Sequence, residues 1–207
     1  MKYLYEYLEF DKLSPDAKVK AIENIRNDMY DYFDVSDLVD DDSLFEPSHS
    51  EMKKLFGDDY YDANDGSFMI ANTRKDISFS DKSNQNYYLH CADAIEITND
   101  NLFLRWLGIN PIFHKYVVYR FFDPPGNQNT KIVFEIGDLD DLLEIRKDAD
   151  TILNLQIDNA EKKFSQHIDN VLTNLSNQID YEYSDESIIN RIESNEYLFD
   201  DEGEKIN

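Results

Sequence analysis

The sequence predicts an α+β protein: a central, mainly antiparallel sheet packed by one long helix from the C-terminal half and by shorter flanking helices. Three observations predict it. Eight apolar residues repeat at helical spacing through the last third of the chain. Two β-rich runs in the middle are separated by a Pro-Pro-Gly-Asn loop. The charge is also sorted along the chain. Residues 67–136 hold 7 acids and 7 bases, whereas 34–66 hold 11 acids against 2 bases and 137–207 hold 19 against 6. A neutral, aromatic middle suits buried strands, and acidic flanks suit solvated helices.

The elements follow in order. Tyr3 to Phe10 reads as a strand that joins the central sheet. Ser14-Pro15-Asp16 then starts a helix: a hydroxyl cap, a proline at the first helical position and an acid facing the helix dipole. Ala21, Ile22, Ile25, Met29 and Phe33 form its apolar face, and Lys20, Glu23, Asn24, Asn27 and Asp31 its wet face. A short helix from Ser48 to Phe56 is stopped by Gly57. Asp58 to Gly66 is an acidic, turn-rich loop. Ile77 and Phe79 alternate with polar residues as in a strand, and Tyr87 to Ile97 reads as a longer strand. Leu102 to Leu107 is a short helix closed by Gly108 and followed by Pro111. Tyr116 to Phe122 and Lys131 to Ile136 form a hairpin with a long loop. Asp138 caps a short helix bearing Leu139, Leu142 and Leu143.

The long helix spans roughly Asp150 to Gln178. Its stripe is Leu153, Ile157, Ala160, Phe164, Ile168, Val171, Leu175 and Ile179, spaced by three or four residues throughout. Ser184 caps a further helix with Ile188, Ile189 and Ile192, and Tyr197-Leu198-Phe199 returns as a final strand. The whole is read as one domain, 1–207, with an acidic helical and loop segment at 34–66, a sheet-rich centre at 67–136 and an acidic helical part at 137–207.

Composition bounds the function. One cysteine, Cys91, rules out an intramolecular disulfide. The N-terminal stretch has no apolar run of signal-peptide length, and no stretch approaches a membrane span, so the expectation is a cytoplasmic protein. A formal charge of −24 disfavours direct contact with nucleic acid or an anionic membrane and favours a basic partner. Basic surfaces on proteins are most often nucleic-acid-binding surfaces.

Chemistry-bearing motifs are scarce. With Gly66 placed sixth in a calcium loop, the ligand positions fall on Tyr61, Ala63 and Asp65, of which one is a ligand. The histidines, His49, His90, His114 and His167, stand at least 24 residues apart and match no zinc spacing. Cys91 follows His90, but neighbours on a strand face opposite ways, and Cys91 reads as a small buried residue. No phosphate-binding glycine motif and no nucleophile elbow occurs. With 44 acids, carboxylate pairs arise by chance and carry no information. The expectation is no catalytic residue, no metal and no cofactor. Tyr60, Tyr61, Tyr87, Tyr88, Tyr181 and Tyr183 stand in polar surroundings, as interface tyrosines do.

Two segments carry a resemblance. The opening, YLEFDKLSPDAKVKAIENIRND, and the end, YEYSDESIINRIESNEYLFDDEGE, resemble a family of acidic proteins encoded by bacteriophages of low-GC bacteria and loosely described as antitoxin-like. Asn64-Asp65-Gly66-Ser67-Phe68 resembles a Gly-rich turn of that family, without its first glycine and the tryptophan-containing strand before it. The resemblance implies a phage-encoded protein acting in the host cytoplasm. Small acidic phage proteins without a catalytic motif are often inhibitors of host proteins. The expected function is therefore stoichiometric inhibition of a host defence nuclease, of the anti-CRISPR type, by a nucleic-acid mimic. The alternative is an antitoxin-like protein that neutralises a toxin by direct contact. The candidate partner-binding residues are Asp34, Asp37, Asp40, Asp41 and Asp42; Asp58, Asp59, Asp62 and Asp65; and Asp200, Asp201, Glu202 and Glu204.

Overall fold

The computed structural model describes residues 7–32, 45–57, 70–71, 78–79 and 88–206. The class is α+β, with small antiparallel strand pairs and one long helix. Within the 207 residues, contacts gather into two compact units. Unit 1 joins the two ends of the chain, Met1–Leu38 and Leu175–Asn207. Unit 2 is Val39–Asn174.

Unit 1 contains strand β1 (Leu8–Glu9) and helix α1 (Pro15–Tyr32). The Ser14 hydroxyl accepts the Ala17 N–H at 3.2 Å and so satisfies an orphan donor of the first turn. Leu13, Ala17, Ala21, Ile25 and Met29 recur every four residues along one face and are buried. Opposite them lie Ile188 and Ile192 of the last helix and Phe199 of the last strand.

Unit 2 starts, among described residues, with Phe45 and helix α2 (His49–Phe56). Ser48 caps α2, and Gly57 ends it at φ 75°, a conformation that costs a side-chain-bearing residue strain. Strands β2 (Ile70–Ala71), β3 (Ser78–Phe79), β4 (Leu89–His90) and β5 (Ile95–Glu96) follow, with β2 antiparallel to β5 and β3 to β4. Helix α3 (Asp100–Leu107) is capped by Asn99 and closed by Gly108 in the left-handed region. A 3-10 turn, Pro111–Tyr116, leads into the hairpin of β6 (Val117–Phe122) and β7 (Lys131–Ile136), paired from Val117↔Ile136 to Phe122↔Lys131. Its inner face feeds an aromatic cluster in which Phe103, Trp106, Tyr119, Phe121, Phe134 and Phe164 lie ring to ring at 5.1–6.1 Å.

Helix α4 (Asp140–Ile145) starts where the Asp138 carboxylate accepts the Asp140 N–H. Helix α5 (Ala149–Glu182) has 34 residues, about 50 Å at 1.5 Å per residue. It overruns the span read from the sequence at both ends. All eight residues of its predicted stripe are buried, with Leu153, Phe164, Ile168 and Leu175 fully so. It belongs to unit 2 as far as Asn174 and to unit 1 from Leu175. Helix α6 (Asp185–Ser194), capped by Ser184, and strand β8 (Leu198–Phe199) complete unit 1.

Two expectations change. The N-terminal strand does not join the central strands: β1 pairs with β8, Leu8 opposite Phe199. Apolar Leu8, Phe10 and Phe199 serve the unit 1 core, so the strand follows its hydrophobic partners to the other end of the chain. The run Tyr87 to Ile97 is also not one strand. It breaks at Cys91 into a 3-10 turn, Ala92–Ala94, before β5. Side chains take the N–H groups out of the ladder: the Thr130 hydroxyl accepts from Cys91 at 2.8 Å, and the Asp123 carboxylate accepts from Cys91 and Ala92.

Candidate acidic binding surface

Of the thirteen candidate residues, Asp34, Asp37, Asp40, Asp41, Asp42, Asp58, Asp59, Asp62 and Asp65 lie outside the described residues. The other four form one turn of unit 1. The Asp200 carboxylate accepts the N–H groups of Glu202 and Glu204 at 3.0 and 2.9 Å, and the Asp200 N–H donates to the Glu204 carbonyl. Gly203 sits at the apex with φ 85°. A Cβ there would fall 2.2 Å from the Ala17 carbonyl oxygen, so only glycine lets the turn lie backbone to backbone on α1. Lys20 on α1 then reaches Glu204 at 3.1 Å and Glu202 at 3.6 Å, and Asn24 donates to Glu204. These carboxylates hold the Lys20 ammonium above its ordinary pKa, chiefly through the Glu204 hydrogen bond. The four candidates are therefore not equivalent. Asp200 builds the turn, Glu202 and Glu204 fasten it to α1, and Asp201 is exposed and makes no ion pair with a described residue.

The rest of unit 1 repeats this arrangement. Lys12 pairs with Glu9 at 2.9 Å, Arg26 with Asp185, and Arg191 with Glu182 at 3.7 Å. Lys18 lies 5.6 Å from the Phe10 ring centre and Lys205 3.6 Å from that of Tyr197. Thus all six described cations of unit 1 are engaged at home by a carboxylate or a ring. A larger set of exposed carboxylates has no ion pair among the described residues. Asp16, Glu23 and Asp28 come from α1; Asp180 from α5; Glu186 and Glu193 from α6; and Asp11, Glu196 and Asp201 from turns. Sequence reading missed eight of these nine because it looked for runs of acid. Acids spaced three to seven apart on helices leave no run, and the signal lay in helical spacing.

The candidate tyrosines divide as well. Tyr60, Tyr61 and Tyr87 lie outside the described residues. Tyr181 is half exposed, and Tyr183 packs against the unit 1 core, its carbonyl accepting from Arg26.

Unit 2 holds the groups that resemble reactive ones. Cys91 is fully buried, its backbone N–H and thiol both on the Thr130 hydroxyl. Burial pushes the thiol up to about 12, and nearby Asp123 adds to this, so the thiolate needed for nucleophilic attack is disfavoured. His90 bonds the Gln128 carbonyl and not Cys91. Burial and the Asp100 carboxylate raise the Tyr119 phenol, which donates to Asp100. Among the described residues no group of three or more His, Cys, Asp or Glu side chains could hold a metal ion. No helix among them is long and apolar enough to cross a membrane.

Against this geometry, neither a protein-family model, nor a curated protein, nor a solved structure matches the chain.

Proposed function

We propose that this chain is a phage-encoded, stoichiometric inhibitor of a host defence nuclease, of the anti-CRISPR type. It lays carboxylates against the basic surface on which that nuclease holds nucleic acid, and it works in the host cytoplasm without a cofactor. One observation supports this above the rest. Unit 1 uses its six described cations internally and leaves nine exposed carboxylates without an ion pair among the described residues. Duplex DNA presents one charge per roughly 1.7 Å of axis, so a mimic needs many carboxylates free of internal partners. Each contributes little alone, and salt screens the sum.

The antitoxin-like reading has its own support. Both segments that resemble the phage family fall in unit 1, where they share one core. An antitoxin would sit beside a toxin gene and be required for tolerance of that toxin, whereas a nuclease inhibitor has no such genetic partner.

Capture of partners from host extract on the immobilised chain, identified by mass spectrometry, tests the proposal. The expected partner is a nuclease that duplex DNA displaces and that is inhibited at a one-to-one ratio. A variant with Glu23→Gln, Asp28→Asn, Glu186→Gln, Glu193→Gln and Asp201→Asn leaves every home ion pair in place. Its affinity should fall most at low salt through slower association. Inhibition at sub-stoichiometric amounts, or an affinity that neither salt nor this variant changes, would overturn the proposal.

A further inference from the structure

Within unit 2, residues 45–57 are fastened to the core by a small set of polar groups around the chain's one tryptophan. Glu51 of α2 accepts from the Trp106 indole N–H and from the Lys163 ammonium, each at 3.0 Å. Lys163 also donates to the Trp106 carbonyl at 2.7 Å, which caps an orphan acceptor in the last turn of α3, and its ammonium lies 4.7 Å from the Trp106 ring centre. One turn along α5, the His167 Nε2–H donates to the Phe45 carbonyl at 2.7 Å, and its ring stands edge-on to Trp106 at 5.1 Å. Phe45 and Met52 of the same segment are buried.

We infer that residues 45–57 form an acid-released clasp, closed while Glu51 is a carboxylate and His167 is neutral, and opened in two steps as they take up protons. The charge count of the site carries the inference. Among the described residues, Lys163 from α5 and Glu51 from α2 are the charged groups set against His167; α3 contributes the uncharged indole and carbonyl of Trp106, and its Arg105 lies instead over the Phe56 ring of α2, 4.7 Å from the ring centre. Closed at neutral pH, the site balances one ammonium with one carboxylate. A proton on His167 adds a second cation with no second anion among the described residues, in a place partly shut off from water. The Trp106 face, which could hold a cation, already holds Lys163.

The order of the steps follows from the shifts. Burial lowers the His167 pKa from its ordinary 6.5, so the folded site resists the proton that the open segment accepts. The histidine's contribution is fully present above pH 6.5 and is lost as pH falls toward the lower folded value. Burial opposes ionisation of Glu51, but the Lys163 ammonium and the Trp106 N–H hold its pKa below the ordinary 4.5. Its contribution is present above pH 4.5 and is lost only as pH falls through that lower value. His167 therefore opens the clasp first. This device is independent of the partner proposed above.

The test uses the full chain. Hydrogen-exchange protection of the α2 amides, corrected for intrinsic rate, is followed from about pH 7 to about pH 5, with Trp106 emission as a second reporter. Protection of α2 should fall roughly tenfold over this range while α5 amides and far-UV ellipticity hold steady. His167→Gln keeps a donor for the Phe45 carbonyl but binds no proton, so its α2 should stay protected across the range. Constant α2 protection in the unaltered chain would overturn the clasp, as would loss of protection in H167Q over the same interval. Should H167Q fail to fold, the exchange and emission profiles of the unaltered chain decide alone.

Discussion

In unit 1 every described cation is held by a carboxylate or a ring, while in unit 2 one ammonium, Lys163, meets Glu51, a backbone carbonyl and the face of Trp106 together. The cores differ in the same sense. Between α1 and α6, unit 1 packs small and aliphatic residues, Ala17, Ala21, Ile25, Ile188 and Ile192, with the rings of Phe10 and Phe199 at one end, and a turn rests backbone to backbone on α1. Unit 2 builds its interior from aromatic rings and fastens a segment to them with charge. A close-packed aliphatic interface needs no polar group inside it, so its charges are free to face outward. An aromatic core carrying an indole N–H and a helix-end carbonyl must supply partners for them. Within unit 1, the difference separates carboxylates held by a home cation from those with no ion pair among the described residues.

The largest expected effect lies in the aromatic core. Phe164 is fully buried and its ring centre lies 5.3 Å from that of Phe121. Phe164→Ala should cost about 3–5 kcal/mol, measured by urea denaturation, because surrounding rings collapse poorly into the space left. If unit 1 gains its cohesion independently, exchange protection of α1 should survive this substitution while that of α3 is lost. Loss of both together would erase the distinction between the units.

A smaller effect is expected from Gly203→Ala in unit 1. The new methyl meets the Ala17 carbonyl at 2.2 Å, and the backbone is already at positive φ. Overpacking of this kind costs roughly 1–3 kcal/mol. Gly126→Ala is the control. Gly126 has a similar φ of 83° but nothing within 4 Å, so only conformational strain applies. Equal losses in the two variants would mean that the close approach of the turn to α1 contributes nothing.

Much of this was legible in the sequence, for identifiable reasons. The α5 stripe was read residue by residue because a 3.6-residue period sustained over eight positions has one interpretation. The caps at Ser14 and Ser184 and the stop at Gly108 were read from local chemistry that tertiary contacts did not override. Pairing of β1 with β8 was not legible, because nothing local in Leu8-Glu9 specifies a partner 190 residues away. The break at Cys91 was hidden for the same reason: its acceptors, Asp123 and Thr130, lie more than thirty residues away in the chain. The acidic turn was found as a run, but its division of labour depends on Lys20, Asn24 and Ala17, which only the fold brings to it.

The smallest effect, and the sharpest test of the contrast between the units, comes from removing one ammonium in each. Lys163→Met leaves Glu51 without its counter-charge and the Trp106 carbonyl without a donor. The pair is about one-third exposed, so water compensates in part and the loss should be about 1–2 kcal/mol. Lys20→Met removes a bridge whose partners, Glu202 and Glu204, are each more than half exposed. Water replaces the lost contacts, and the melting temperature should not move measurably. Charge is where Lys20→Met should register. The net charge goes from −24 to one unit more negative, and Glu202 and Glu204 are released toward solvent. Association with a basic partner should then be faster than for the unaltered chain at low salt and indistinguishable from it at high salt. A stability loss for Lys20→Met as large as that for Lys163→Met would show that the surface pairs of unit 1 hold its fold together. The carboxylates they engage would then be structural, and releasing them would add no acid to the nine that already have no ion pair among the described residues.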